Sequence, residues 1–556
     1  AMQETPEQAA ERRRTEGRTD QGDLTDAVMG DGEVGGASGI SEASLGAYRE
    51  MASAAMSLGR PDILYSLLML SVSNPAWSSE GRQYGHSILL GQQSFLGSRS
   101  NGSDMRTALK GHLGKLIPRI LRGCHSPNKE TREQMQNLWV GLTGGGAEAR
   151  SAISQHLLVT IDTLMEDSSS KLWRTRLGAC EALAQVIVGR SWRELGGGPA
   201  VLFDDDVFTQ TSTEATSAGV RLLRLWRVAM RSLDDVRANV REAGESLGRG
   251  VKSLTLRLVD PNALKEGDST SDNVSNLEED ASAAAATALR WLIKHGLKQQ
   301  CPEAAGVCIS CLVGIVDVAN PLILQPLVPD LLRSLLLAMS TLEPAAFNYL
   351  QVRAAGQERG SETYDSLERL RLQVVQSGPL ATAVTKCLDM IPRLDPKIQQ
   401  AVVPELDSAI RLSAGLTTRT TAADCVATLC TTCPNAFKSN LPSSKNPSVT
   451  LLRLLYFACE RERGQAARDK YAHACGSLAA LCPGSSVRSL ALRASGKYNA
   501  STGSNDDPAA RKAAAITLRA IAVKASSQFS DGGNNDIWCR RVLPVAFLGM
   551  RDPDPS

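Results

Sequence analysis

The stretch ISQHLLVTIDTLMEDSSSKLWRTRLGACEALAQVIV, residues 153–188, decides the fold. Ile153, Leu157, Ile161, Leu164 and Met165 recur at three- and four-residue steps, the spacing that gathers apolar side chains on one face of an α-helix. Polar residues from Asp167 to Ser170 then turn the chain, and a second helical pattern runs from Leu172 to Val188. Two short amphipathic helices joined by a polar turn cannot bury both apolar stripes alone. Stacked copies of the unit can.

Working outward, copies are found on both sides. Leu113, Leu116, Ile117, Ile120 and Leu121 mark a helix, Ser126-Pro127-Asn128 a turn, and Thr131, Met135, Leu138 and Trp139 its partner. Val220 to Leu233, a turn at Asp234-Asp235 and Val236 to Leu258 repeat the pattern, as do Val449 to Glu460 with Ala466 to Leu481. A helix from Pro508 to Val523 follows. Each second helix opens with a polar turn, an Arg and then small residues ahead of a Leu. Arg132, Arg176, Arg241, Arg468 and Arg511 hold that place. The first two lie 44 residues apart, close to the HEAT and armadillo period of about 40–47. The arginine is expected to reach the carbonyl-rich or acidic turn of the adjacent repeat. No stretch alternates with period two, so the fold class is all-α: an armadillo-like/HEAT-repeat α-solenoid, a right-handed superhelix of antiparallel helix pairs.

A chain of 556 residues exceeds what one compact core reaches, which fits an array. Residues 1–43 are polar and Gly-rich, and read as a flexible linker. The solenoid spans 44–556, with loop insertions near 191–217, 259–281, 356–363 and 500–507 that are expected to project from its ridges and offer contact points. The missing initiator Met and the abrupt stop after Met550 lead us to expect a piece of a longer protein. Sixty-one basic residues against fifty-nine acidic ones leave +2, which gives no global pull toward nucleic acid or anionic membrane. Thirteen cysteines inside apolar helical patterns read as reduced thiols of a cytosolic or nuclear protein. The chain contains no uninterrupted run of eighteen apolar residues, and no integral membrane segment is expected.

Few residues invite chemistry. Cys308 with Cys311, and Cys430 with Cys433, have zinc-ligand spacing, but the pairs lie 122 residues apart inside apolar runs. They read as buried packing thiols. The six histidines His86, His112, His125, His156, His295 and His473 stand alone and read as surface or groove residues. Gly144 to Gly146, Gly196 to Gly198 and Gly496-Lys497 lack the remaining residues of a phosphate-binding loop. Asp204 to Asp206, flanked by Phe203 and Phe208, reads as a loop or helix cap. The candidate partner-binding feature is a basic ridge, Arg221, Arg224, Arg227 and Arg231, at helical spacing. No aromatic residues interleave it in the manner of a single-strand binder, so nucleic acid is disfavoured. We assign no catalytic, metal or cofactor residue.

Several segments are sharper than the repeat. Tyr48 to Ser53 runs into Arg60 to Tyr65 and Asn74 to Trp77; Trp173 to Arg176 is followed by Cys180 to Leu183; Leu342 to Pro344 leads to Phe347 to Leu350; and Val542 to Met550 closes the chain. In this order they resemble the proteasome adaptor and scaffold family of very large HEAT-repeat proteins, over most of Tyr48 to Met550 and within the family's later half. The 1–43 linker and the 191–217 and 500–507 loops depart from the family pattern. The resemblance implies a non-enzymatic adaptor that tethers proteasome core and regulatory particles and influences their assembly or integrity. It also implies links to trafficking or motor proteins, and residence in cytoplasm and nucleus with peripheral association at endoplasmic reticulum or endosomes. No active site carries over. The alternative is a HEAT-repeat transport or trafficking receptor binding peptide cargo in its groove.

Overall fold

The computed structural model describes residues 110–201, 217–260, 274–341, 362–413, 415–438, 446–500, 508–529 and 538–550, with isolated positions within 50–66, at 262 and within 347–353. The described regular structure is helical, with no strand among the described residues. The chain divides into two compact units, Ala1–Pro199 with Asp204–Arg257, and Ala200–Phe203 with Leu258–Ser556.

The first unit is built from α1 (Leu113–Gly123), α2 (Lys129–Thr143), α3 (Gly146–Gln155), α4 (Leu157–Asp167), α5 (Trp173–Val186), α6 (Ala218–Leu233) and most of α7 (Ala238–Val259). The pairs α1/α2, α4/α5 and α6/α7 are the expected hairpins. In one respect the chain differs from expectation: the helix read from Ile153 to Met165 is broken. His156, at φ −118° and ψ 22°, ends α3 and lets α4 start in a new direction. Leu157, Ile161, Leu164 and Met165 of α4 meet Ala179, Cys180, Leu183 and Val186 of α5 in the core. The small residues of the repeat signature allow close crossing. A Cβ on Gly178 would lie 2.6 Å from the Arg122 carbonyl oxygen, and one on Gly244 would lie 2.7 Å from the Ser232 carbonyl carbon. Inside α6/α7 the buried Trp226 donates through Nε1 to Thr255 Oγ1 at 3.0 Å, which in turn donates to the Val251 carbonyl.

The second unit carries α8 (Val274–Lys294), α9 (Pro302–Val318), α10 (Val328–Thr341), α11 (Glu362–Gln376), α12 (Pro379–Met390), α13 (Pro396–Leu412), α14 (Leu416–Thr432), α15 (Pro447–Arg461), α16 (Gln465–Ala479), α17 (Gly484–Ala500), α18 (Pro508–Lys524) and α19 (Leu543–Gly549). Here α13/α14, α15/α16 and α17/α18 stack as successive hairpins, with each second helix packed on the next: α14 on α16, and α16 on α18. Asp395 and Asn446 cap α13 and α15 through their side-chain oxygens, each followed by Pro at the first helical position. The segment Leu322–Ser340, 19 residues of mean hydropathy 1.5, could cross a membrane by length and composition alone. Within it α10 turns Leu331, Leu332, Leu335, Leu336 and Met339 into the core, packing on α12, α13 and α14.

The insertions need correction. Residues 191–199 do not project. Trp192 and Leu195 are 1% and 0% exposed, Trp192 Nε1 donates to the Gly198 carbonyl at 2.9 Å, and Ala218 N–H donates to the Gly197 carbonyl at 2.9 Å. Gly196, Gly197 and Gly198 have φ of 114°, 61° and 98°, a backbone path open to glycine. The loop read over 259–281 is shorter, because α8 starts at Val274 and takes Glu278, Glu279 and Asp280 into its early turns. Glutamate is a good helix former, so an acidic run there is compatible with a helix. Likewise α11 begins at Glu362, inside the break expected over 356–363. The 1–43 linker, residues 202–216, 356–361 and 501–507, and the trio Asp204 to Asp206 with Phe203 and Phe208 lie outside the described residues.

Candidate functional site

The repeat arginines organise the turns. Arg132, Arg176, Arg241, Arg468 and Arg511 each stand at the fourth position of their helix. Helical side chains lean toward the N-terminus, so an arginine there lies back over the turn that precedes its helix. Arg132 Nη1 donates to the Ser126 carbonyl at 3.1 Å. Arg176 Nη1 donates to Ser170 and Lys171, each at 3.0 Å. Arg241 Nη1 reaches Asp235 and Val236 at 2.9 and 3.1 Å. Arg468 reaches Glu462 and Arg463 at 2.8 and 2.9 Å. The acceptors sit six and five residues before each arginine. They are orphan carbonyls where the first helix ends and the turn begins, and a guanidinium supplies the donors.

The expectation of a reach to the adjacent repeat is met by Arg176. Its Nε and Nη2 donate to Asp235 Oδ2 and Oδ1 at 2.8 and 3.0 Å, a bidentate pair from α5 to the α6–α7 turn. For the other arginines, the bonds described above go to their own turn. Burial pushes the Asp235 carboxyl up, but the Arg176 bonds, the Arg237 N–H and the charges of Arg176 and Arg241 outweigh it and hold it below the usual carboxylate range. The α4–α5 turn is gripped from three helices at once: Arg122 of α1 donates to Asp167 Oδ2 at 2.6 Å, Arg231 of α6 to Ser169 Oγ at 2.8 Å, and Arg176 to the carbonyls already named.

One member of this lattice was not among the arginines expected from the sequence. Arg419 stands at the fourth position of α14 and pairs with Glu462 of the next turn at 3.4 Å, the counterpart of Arg176 with Asp235. Its signal was masked because Thr420 and Thr421 follow it where Ala or Gly was sought. Asp167 and Asp235 were read as turn residues, and the local sequence does not show which arginine reaches each of them.

The basic ridge is not a continuous exposed strip. Arg221 is 3% exposed; it grips Asp162 through Nε and Nη2 at 3.2 and 2.9 Å and donates to the Leu195 carbonyl at 3.0 Å. Arg224 is half-buried and stands 3.6 Å from Asp162, while Arg227 and Arg231 are exposed. Arg221 and Arg224 both face Asp162, and the Leu195 carbonyl of the 191–199 segment accepts from Arg221.

Cys308 and Cys311 are both 0% exposed on α9, and Cys430 and Cys433 are buried at the end of α14. Burial pushes the Cys308 and Cys430 thiols up to about 12. Among the described residues, no three His, Cys, Asp or Glu side chains converge as metal ligands would. His125 Nε2 lies 3.3 Å from Gln185 Oε1, the His295 ring centroid is 6.0 Å from that of Trp291, and His473 is exposed. His86 lies outside the described residues. Gly144 to Gly146, at φ 82°, 79° and 52°, form the α2–α3 turn, and Lys497 pairs with Glu460 at 3.1 Å.

Residues 324–499 match the HEAT-repeat domain model of the proteasome adapter and scaffold protein ECM29. The chain is similar to members of the ECM29 family. It is 26% identical to the human "Proteasome adapter and scaffold protein ECM29" over 512 residues, 91% of this chain and 23% of that protein. It is 22% identical to the Drosophila melanogaster "Proteasome-associated protein ECM29 homolog" over 91% of this chain and 24% of that one. Against the Saccharomyces cerevisiae "Proteasome component ECM29" it is 23% identical over 67% of this chain and 18% of the relative. The chain thus spans about a quarter of the length of the ECM29-family relatives it matches. Among solved structures, an importin beta is similar at 14% identity, covering 99% of this chain and 73% of that one, with a TM-score of 0.21, too low to carry an argument.

Proposed function

We propose that this chain is a member of the ECM29 family, a non-enzymatic adaptor and scaffold segment that binds the proteasome, tethers its core and regulatory particles and influences their assembly or integrity. The observation that carries the reading is the match over nine-tenths of the chain to relatives named as proteasome adapters and scaffolds. The arginine-bracketed turns support it physically. Repeat proteins present long surfaces whose many modest contacts add up on a large partner, and turns held in place by guanidinium bridges keep such a surface in register. Trafficking or motor proteins are further partners under this reading. Its setting is cytoplasm and nucleus, with peripheral association at endoplasmic reticulum or endosomes.

The test is affinity purification of the tagged full-length protein from native lysate, followed by mass spectrometry. Stoichiometric recovery of proteasome core and regulatory subunits upholds the proposal. Recovery of transport factors or vesicle coats without proteasome overturns it, and points to a peptide-cargo receptor.

A further inference from the structure

The helix α11 departs from the hairpin pattern. It packs on α12, α14 and α16, which carry the second-helix side of the stack, and it is inserted between the paired helices α10 and α12. Its buried face is also unlike that of a repeat helix. Where α13 buries Val402, Val403, Leu406, Ala409 and Ile410, α11 buries Glu368, Arg371 and Leu372. Leu370 and Val374 on its other face are 51% and 43% exposed. Among its described side chains Leu372 is the one aliphatic residue fully buried, with Leu367 and Val375 half-buried.

Two carboxylates tie α11 to α16. Helix α16 begins after Gly464, which has no side chain to cap it. Its first amides are satisfied from α11 instead: Gln465 N–H donates to Asp365 Oδ1 at 3.3 Å and Ala467 N–H to Glu368 Oε1 at 3.0 Å. Glu368 is 1% exposed and fills the niche left by Gly464, where any Cβ would overlap its Oε2. That Oε2 finds no hydrogen-bond partner among the described residues. At the other end, Gln376 Nε2 donates to Asp424 Oδ2 of α14 at 3.3 Å, and the same carboxylate pairs with Lys470 of α16.

We infer that α11 is a releasable strap, latched across the second helices of the repeats by Asp365 and Glu368 seated on the N-terminus of α16. A buried carboxylate with one unsatisfied oxygen is a poor permanent anchor, because ionising it in place costs free energy that release into water recovers. Burial pushes the Glu368 carboxyl up to about 7, against the Ala467 N–H and helped by Glu462 and Asp365, with Arg468 opposing. Of the neighbouring elements, α16 also brings Tyr471, α14 brings Arg419, which pairs with Glu462, and α11 itself brings Arg371. A carboxyl whose docked value lies above its free value of 4.5 favours the docked strap when protonated. Docking therefore weakens as pH rises from 4.5 to 7 and levels off above that.

Hydrogen–deuterium exchange of the full chain at pH 6 and pH 8, corrected for intrinsic exchange rates, tests this. The α11 amides and those of Gln465 and Ala467 should lose about tenfold in protection between the two pH values, while the amides of α18 keep theirs. Glu368→Gln, which cannot ionise and retains an oxygen for Ala467 N–H, should abolish that pH step. Gly464→Ala should release α11 at both pH values, since Gly464 at φ −82° takes an alanine without backbone strain and only the seat of Glu368 is lost. A wild-type α11 equally protected at pH 6 and pH 8, or one still protected in Gly464→Ala, overturns the inference.

Discussion

Arg176 shows what one residue does in this fold. It closes its own turn through two carbonyls and ties that turn to the next through Asp235, with both side chains largely buried at 18% and 10% exposure. Replacing it by Ala removes charge-assisted bonds and leaves Asp235 without its bidentate partner, a cost of about 2 kcal/mol. Arg176→Ala should lower the thermal midpoint and the denaturant midpoint, and Arg132→Ala, which loses a carbonyl contact, should lower them less. An unchanged melting curve for Arg176→Ala would remove the ladder from the account. Acid should act at the same place. The Asp235 carboxyl is held below its ordinary 3.8, so the tie is fully present above that value and fades as pH falls through the depressed one. In Asp235→Asn, stability followed by denaturant titration should fall less steeply below pH 4 than in the wild type.

At the scale of elements, segment 191–199 is a structural plug between α5 and α6. Trp192 buries its ring and spends its N–H on the Gly198 carbonyl, while the Leu195 carbonyl accepts from Arg221. Trp192→Ala should therefore cost about 3–5 kcal/mol and disturb Arg221 as well. Calorimetry of the variant checks the loss, and a penalty below 1 kcal/mol would show that the segment is dispensable. Close helix crossing is the other element-level device. A methyl group at Gly178 would meet the Arg122 carbonyl, so Gly178→Ala should destabilise by about 1–3 kcal/mol although Ala is the better helix former.

For the whole molecule, the cysteines report on packing along both units. All thirteen fall among the described residues; eleven are buried, Cys301 is half-buried and Cys539 is exposed. Thiols such as Cys308, Cys387 and Cys482, pushed up to about 12 by burial, are protonated and screened at neutral pH. Native labelling with a maleimide, read by intact mass, should modify Cys539 first and Cys301 next. The remaining eleven should react after denaturation. Rapid modification of Cys308 or Cys430 would contradict the packing described.

Much of the architecture was legible in local sequence. Helical periodicity needs neighbours three and four residues apart, so Ile153 to Val188 announces its hairpin without reference to the rest of the chain. The places of the turn arginines were legible as a repeated local pattern, but their acceptors were expected in the adjacent repeat, and the carbonyls they bond lie five and six residues back in their own turn. The match to the ECM29 family added order to that pattern. Tertiary structure alone decided which arginine reaches across to Asp235, that Arg221 lies buried on Asp162 rather than on an open ridge, and that the Gly-rich segment after Ser191 folds inward. It alone decided that Glu368 caps a helix 99 residues away. Such pairings depend on where stacking places each side chain, and identical local patterns are compatible with a solvated charge or a buried one. Periodicity is a property of the chain; burial and partnership are properties of the packed molecule.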